Sequence, residues 1–592
     1  MNDFKELLEG LTLEQKAVCT TENNTYLTAC PGSGKTLVLT RKLAFLTASN
    51  PQSRKWNIAI TYTNRAADEI TSRLDSLGID RLNIWTGTIH QFCMHFIIRP
   101  YAMYSARLSK GYTIIDEYTQ GEYGKEIAKE LGIKLKNFDD PFKIPAITKK
   151  YLARLEANKE IDFYQILQLS NELVSTNDFI CLNIAPIVNC ILVDEFQDTN
   201  ELQYKILAQI FRKNKAIYLL FAGDVNQAIY GSLGGVAKSR ADMESLFDTI
   251  FEEKSLTGCF RSTQDVVDFY TEFEISATGV TSVATIKDYK GELSHTTNVT
   301  KDRLAESIAG ILSAELASGV PSTEICVAAP EWSHLFQLLA DLKQLLPDTP
   351  FDAPDISPFK YDPMNPFYLL ARLTFTESGQ RVSFRKRMAT EFLSILRNDY
   401  NAIIPESIDN YNILRTLNLS INRNEDGITI LKDAIQSVLR LLGINLGDSR
   451  LFEIYERFLE KVQDRISRHN IVTDYHSISR CFKEKQGVVL STIHGVKGEE
   501  YTTVIAFSLL NGRLPNWDYI MDYDMKHMRK TETLKLLYVL CSRAKQNVYL
   551  FSEKGHKTKK RNIDLIPTDE LIAGFHRFKK KQQTAQLEDV LI

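Results

Sequence analysis

Thr28-Ala-Cys-Pro-Gly-Ser-Gly-Lys-Thr36 decides the reading of this chain, together with its downstream companion Val193-Asp-Glu-Phe-Gln-Asp198. A glycine-rich loop that follows a short apolar strand lets backbone N–H groups cradle phosphates. Here Cys30, Pro31, Gly32, Ser33 and Gly34 would form the cradle. Lys35 would neutralise charge on the β- and γ-phosphates, and the Thr36 hydroxyl would ligate Mg²⁺. Of the paired acids, Asp194 would hold the metal and Glu195 would orient or deprotonate an attacking water. The two segments together predict a complete nucleoside-triphosphate site in an enzyme driven by ATP.

Working outward, the loop sits in α/β patterning. Tyr26 to Ala29 reads as a strand, Lys35 to Ala48 as a helix and Asn57 to Tyr62 as a second buried strand. Later apolar runs at Val188–Val193, Ile217–Ala222, Gly487–Ile493, Val504–Phe507 and Val548–Phe551 are bounded by Gly, Asp or Asn, and suit two parallel sheets. Residues 94–185 are mostly helical in pattern and separate the phosphate loop from its acids. A second interruption, 376–485, holds the polar stretch Asn398–Gly427 and two helical periodicities. One runs Leu431, Ile435, Val438, Leu439, Leu442, and the other Leu451, Tyr455, Phe458, Val462, Ile466. Such spacing predicts core packing. The basic clusters Lys557, Lys559, Lys560, Arg561 and Lys579–Lys581 read as solvated charge, with phosphate contact as the alternative.

The gross numbers agree with a multidomain chain. At 592 residues it exceeds one hydrophobic core, and domains of ~100–200 residues imply roughly three to five structural units. With 44% hydrophobic and 24% charged residues the composition is that of a globular protein. Neither a secretory segment nor a run of ~18 apolar residues is present, so a cytoplasmic, membrane-free protein is expected. The nine cysteines include no Cys-x-x-Cys pair, which argues against zinc, iron–sulfur or disulfide frameworks. A net charge of −3 and a pI near 6.4 confine any nucleic-acid binding to a local groove.

Further motifs extend the nucleotide site. Gln15, at the end of Leu11-Thr-Leu-Glu-Gln15, carries an amide able to donate to and accept from an adenine edge. Gln227, in Gly223-Asp-Val-Asn-Gln-Ala-Ile-Tyr-Gly231, follows a strand as a γ-phosphate sensor should. Arg261 and Arg543 supply cations that would stabilise transition-state charge.

In order and spacing these elements resemble the UvrD/Rep/PcrA type of superfamily 1A DNA helicases, from Leu11 to about Phe551. They are LTLEQ, ACPGSGKT, ITYTNRAADEI (60–70), TGTIH (86–90), LVDEFQDT, GDVNQAIYG, CFRST, STIHGVKGEEY (491–501) and LLYVLCSRA. The resemblance implies two RecA-like P-loop motor domains with parallel sheets, each interrupted by a mainly helical insertion domain. The first motor would take residues 1–93 and 186–265, with the insertion 94–185. The second would take 266–375 and 486–592, with a reduced insertion 376–485. The resemblance further implies that Phe260 stacks on adenine, that Glu500 lies near the ribose and that Lys497 and Gly498 link nucleotide to DNA. It implies strand contacts at Tyr62, Thr63, Asn64, His90, Tyr230, Thr492 and His494. ATP and Mg²⁺ are then the cofactors, single-stranded or tailed duplex DNA the partner, and 3′→5′ the polarity.

The chain also departs from that family. Relatives usually continue the third motif as Tyr-Gly-Trp-Arg-Gly, where this chain has Tyr230-Gly-Ser-Leu-Gly234. Leu37 stands where relatives often have Arg. These losses, with the shorter second insertion, support an alternative: a DNA-sensing regulatory ATPase subunit of a nuclease or anti-phage complex, similar to the Gabija system, with weak unwinding of its own. A P-loop kinase or transport ATPase would not carry Thr492, His494, Lys497 and Arg543 in this order.

Overall fold

Short runs of branched and aromatic residues become strands once both of their faces are covered by helices. Five such runs in the first part of the chain are β1 (Thr25–Ala29), β2 (Trp56–Thr61), β3 (Ile84–Thr88), β4 (Val188–Asp194) and β5 (Tyr218–Gly223), and the charged β6 (Glu252–Leu256) joins them at one edge. They form one sheet in the order β3-β2-β4-β5-β1-β6, with all neighbours parallel. The computed structural model describes residues 6–79, 82–135, 140–231, 234–353, 365–376, 379, 382–400, 402–421, 425–447, 450–469, 471–482, 487–517, 520, 528–558 and 562–591. The chain divides into two units, Met1–Arg261 with Thr278–Val283, and Ser262–Ala277 with Ala284–Ile592.

In the first unit, alternate strand residues serve one face. Leu27, Ala29, Cys190, Leu192, Leu220 and Ala222 pack with Val38, Leu39 and Leu43 of the Lys35–Ser49 helix. Phe221 points to the opposite face, against Phe247 and Phe251. The register matters more for function: Thr28 lies opposite Gly223, and Asp194 opposite Ala222. The phosphate loop, the acid pair and the turn after β5 therefore leave the same carboxyl edge, which is where open parallel sheets bind ligands. Between β3 and β4 the chain builds helices Glu117–Glu130, Pro145–Ala157, Phe163–Thr176 and Asp178–Ile184, plus a two-residue strand pair at Thr113–Ile114 and Glu160–Ile161.

The second unit repeats the architecture. β7 (Leu293–Thr296), β8 (Ile325–Ala329), β9 (Phe351–Asp352), β10 (Val488–Thr492), β11 (Tyr501–Ala506) and β12 (Ala544–Phe551) form a parallel sheet in the order β7-β12-β11-β8-β10-β9. A buried carboxylate braces it. Glu315 accepts hydrogen bonds from Thr503 at 2.7 Å, from Asn547 at 3.1 Å and from Tyr549 at 3.1 Å, so its burial leaves no unmet demand.

Within this unit, helices Pro366–Phe375, Val382–Asp399, Asn410–Ser420, Gly427–Leu441, Arg450–His469 and Tyr475–Arg480 share one apolar cluster. Leu431, Ile435, Val438, Leu451, Tyr455, Phe458 and Val462 are buried in it, as their spacing predicts. Two features differ from the sequence reading. The Pro366–Phe375 helix packs into this helical cluster, although it was expected to belong to the motor. The Asn-rich stretch contains a capped helix, Asn410–Ser420, because Asp409 and Asn412 close a capping box at its start. The last helix, Asp569–Leu591, packs Phe578 on Phe269 at 5.1 Å and pairs Arg577 and Lys581 with Glu272 at 2.7 and 2.6 Å. Lys559, Lys560 and Arg561 lie outside the described residues. Among the described residues no helix is long and apolar enough to cross a membrane, and all nine cysteines are buried free thiols.

Candidate functional site

The phosphate loop owes its shape to glycines that nothing else could replace. Gly32 has φ +73°, and an added Cβ would lie 2.6 Å from Arg261 Cβ. Gly34 has φ +77°, and its Cβ would lie 3.0 Å from Gln15 Nε2. Gly34 also caps the Lys35–Ser49 helix without any side-chain hydrogen bond, so no side chain claims the first-turn N–H groups of that helix. Such a helix end attracts anions. Beside it the buried Ser33 Oγ has no hydrogen-bond partner, and Thr36 is half-buried. Pro31 and Cys30 are buried under the loop, and burial pushes the Cys30 thiol well up.

Lys35 reaches from the loop to the acids. Its Nζ lies 3.1 Å from Asp194 Oδ1 and 2.5 Å from Glu195 Oε1. Burial works against the ammonium charge, but the two carboxylates outweigh it and hold Lys35 above its ordinary value. Glu195 takes a left-handed backbone, φ +53°, a strained conformation for a non-glycine residue. That turn is what aims its carboxylate at Lys35. Asp194 is pushed up to about 6, first by burial and then by Glu195, with Lys35 pulling the other way. Two carboxylates share one cation here. The set is short of positive charge, and the residues fit a magnesium ion bound through one carboxylate, a hydroxyl and substrate phosphates.

Two side chains not singled out from the sequence complete this network, although both stand inside the quoted motifs. Gln197 donates to Glu195 Oε2 through Nε2, while its Oε1 accepts from the Asp224 N–H at 3.0 Å. Asp224, buried and raised by that burial, accepts from Gln227 Nε2 at 2.8 Å. A Cβ at Gly223 would meet Gln197 Oε1 at 2.1 Å, so the glycine there makes room for the relay. Gln227 thus connects to Glu195 through two intermediates, and does not pair with Lys35 directly.

The flanks of the loop hold further predicted residues. Gln15 is buried; its Nε2 donates to the Ser33 carbonyl at 3.0 Å and its Oε1 accepts from the Thr12 N–H at 3.0 Å. The amide expected at adenine here ties the Leu13–Thr20 helix to the phosphate loop. Lys42 adds a second tie. It donates to the carbonyls of Cys19, at 3.2 Å, and Thr21, and lies 4.3 Å from the Tyr218 ring. Burial brings its ammonium down to about 8. Phe260 is 45% exposed beside the loop, with its N–H on the Gly32 carbonyl at 2.8 Å. Leu37 is half-buried against the apolar cluster.

Of the predicted strand contacts, Tyr62 and Tyr230 stack on each other, with ring centroids 5.2 Å apart and planes 19° apart. Tyr62 is 42% exposed, so the pair is not a buried core element. Thr63 caps the Asn64–Ser76 helix, accepting from the Ala66 N–H at 3.2 Å, and Asn64 is that helix's first residue. His90 packs edge-on to Phe163 at 5.7 Å, and burial lowers it to about 4. Ser232 and Leu233 lie outside the described residues.

The second unit carries the rest. Arg543 is buried after the Arg529–Cys541 helix, with Nε donating to Val539 O at 3.0 Å and Nη2 to Ser542 Oγ at 2.9 Å. Glu500 lies 3.6 Å from Lys545, which also pairs with Glu324 at 3.0 Å. Thr492 closes β10 and accepts from the Gly495 N–H at 3.1 Å. His494 is exposed in the loop that follows, and Gly498 takes φ +82° before β11.

Comparison with known proteins agrees with this arrangement. The UvrD/REP helicase N-terminal domain matches residues 12–144 and 136–248, and the UvrD-like helicase C-terminal domain matches residues 448–555. The ATP-dependent DNA helicase PcrA of Staphylococcus epidermidis is 28% identical over 299 residues, and that of Staphylococcus aureus 29% over the same length. Each alignment covers 45% of this chain and 40% of the relative. Both family models fall on the sheets whose carboxyl edges hold the residues described above, and the chain belongs to the UvrD/REP family of superfamily 1 helicases.

Proposed function

We propose that this protein is an ATP-dependent DNA helicase that hydrolyses ATP to step 3′→5′ along single-stranded DNA. One observation carries the reading: a continuous hydrogen-bonded relay runs from Glu195 through Gln197 and Asp224 to Gln227. Two residues beyond, the Ile229 N–H reaches the Gln227 carbonyl at 2.9 Å, and Tyr230 follows, stacked on Tyr62. A change at the acid pair is therefore passed to the exposed aromatic pair through groups already in contact.

The roles follow from chemistry. Thr36 and Asp194 would hold a magnesium ion, which would supply positive charge against the phosphates. Lys35 releases its hold on Glu195 in favour of the phosphates, which frees that carboxylate to orient a water and take its proton. Arg261, seated against Gly32, and Arg543 meet charge that develops on the γ-phosphate. Phe260 and Gln15 flank adenine, and Glu500 the ribose. Tyr62 and Tyr230 offer rings to bases, where stacking contributes about 1–3 kcal/mol each. Thr63, Asn64, His90, Thr492 and His494 line the strand's path. The aligned relatives are named as ATP-dependent DNA helicases, which does not favour the regulatory-subunit alternative.

Strand displacement on tailed duplexes tests this reading. A 3′-tailed duplex is separated with ATP and a 5′-tailed one is not; the opposite preference overturns the polarity, and no separation of either with intact ATPase overturns unwinding.

A further inference from the structure

We propose that a groove between two helices of the second unit's helical insertion is a phosphate-binding site, separate from the phosphate loop, that takes the phosphomonoester of a nucleotide. The groove, of about 460 Å³, lies between Val382–Asp399 and Asn410–Ser420. Arg385, Lys386 and Arg415 converge on it, beside Tyr411, Asn418 and Leu419.

Arg385 is the central observation. It is only 4% exposed, yet its Nε has no hydrogen-bond partner. Its Nη2 donates to the neutral Asn418 Oδ1 at 2.8 Å. Among the described residues no carboxylate pairs with Arg385, Lys386 or Arg415. Burial lowers the Arg385 pKa with no anion opposing the effect. A buried charge without a counter-charge is costly, by several kcal/mol in general. Packing does not explain it, since an apolar residue would fill the space without that cost.

Placement sharpens the point. Arg385, Lys386 and Arg387 crowd the start of their helix, whose first turn holds no acid. This is the end at which the helix dipole disfavours cations and favours anions. A guanidinium edge with free donors is built for bidentate contact with phosphate. Lys386 is kept at the groove by Tyr411, with Nζ 2.9 Å from the hydroxyl and 4.6 Å from the ring centre.

The remainder of the groove indicates what the phosphate is attached to. Tyr411 is 59% and Leu419 78% exposed at its margin, and these are the apolar side chains that a base would meet. The volume falls within the ~300–1,000 Å³ range of small-molecule sites, well above the needs of an inorganic anion. Three cations lining one groove from two helices suit one compact, doubly charged anion better than a run of carboxylates. The phosphomonoester belongs either to a free nucleotide or to the phosphorylated end of a nucleic-acid strand.

The test uses the full chain with the phosphate loop saturated by a non-hydrolysable ATP analogue. AMP, inorganic phosphate, 5′-phosphorylated and 5′-hydroxyl oligonucleotides, and a polyglutamate peptide are each titrated. Hydrogen exchange of the Val382–Asp399 and Asn410–Ser420 amides is the readout. AMP or the 5′-phosphorylated strand slows exchange in both helices, and the better of the two identifies the source. The variants Arg415→Glu, at an exposed position, and Lys386→Glu, at a half-buried one, weaken that protection by about tenfold or more, a loss of roughly 1.4 kcal/mol, while DNA-free ATP hydrolysis stays the same. Protection by polyglutamate in preference to the phosphates overturns the proposal in favour of an acidic peptide. No protection by any phosphate, or protection that survives both variants, overturns it outright. None of these outcomes bears on the phosphate loop, so failure here leaves the helicase reading standing.

Discussion

Lys35 and Arg385 are both cations withdrawn from solvent, and they have opposite surroundings. Lys35 lies between two carboxylates, at 3.1 and 2.5 Å. Arg385 has one neutral amide at 2.8 Å and an orphaned Nε. In the first case the protein supplies more negative charge than the cation can balance, and the deficit is one that a magnesium ion meets. In the second the described residues supply none, and the deficit is one that an anion meets. A buried charge thus indicates the sign of its ligand through what its own chain leaves uncompensated.

The largest expected effect lies on the Lys35 side. Glu195→Gln keeps the shape of the site but removes the proton acceptor, so steady-state ATP hydrolysis falls by about 10²–10⁴-fold, while nucleotide affinity measured by equilibrium binding changes little. Similar loss of affinity and turnover would mean that Glu195 only holds Lys35. Lys35→Ala lowers turnover by about 10²–10³-fold and weakens ATP binding as well, because the ammonium serves both.

Asp194 gives the comparison a pH signature. Its carboxyl stands near 6, above the ordinary 3.8, chiefly through burial. A raised folded-state value means that its contribution to stability is fully present below about pH 4 and is lost as pH rises through about 6. Metal binding reverses this by favouring the carboxylate. Calorimetry of Mg²⁺ and nucleotide binding at pH 6 in two buffers of different ionisation enthalpy should show proton release, absent in Asp194→Asn and fading by pH 8. Equal heats in both buffers would remove Asp194 as the metal's carboxylate.

The smallest effect is also the sharpest contrast. Removing an uncompensated buried cation relieves strain, so Arg385→Met should raise the melting temperature by about one degree, corresponding to about 1 kcal/mol in a chain of this size. A fall of similar size would show that Arg385 is a structural brace and that the two cations are alike.

How far the sequence reveals each region follows from the same contrast. Gly32, Gly34, Lys35, Asp194 and Glu195 are legible because phosphate and metal chemistry allows few alternatives at fixed spacing. β4 and β5 are legible because buried parallel strands are continuously apolar. β6, Glu-Glu-Lys-Ser-Leu at 252–256, was not singled out, since an edge strand with one exposed face can be charged. β8 was missed as well; Ile-Cys-Val-Ala-Ala at 325–329 is small and short, and only its place in mid-sheet marks it. Gln197 and Asp224 stand inside recognised motifs, but their roles depend on the β4–β5 register that brings them together. Arg385-Lys-Arg387 carries no motif that marks it, and only tertiary packing shows that its first member is buried.

The most direct test of the central claim is the ATPase rate of the full chain with and without single-stranded DNA. Stimulation by about tenfold or more is expected, as the relay from Glu195 to Tyr230 requires, with loss of the stimulation in Tyr230→Ala and a fall of turnover by about 10²–10³-fold in Lys35→Ala. Equal rates with and without DNA in the unaltered chain would contradict it.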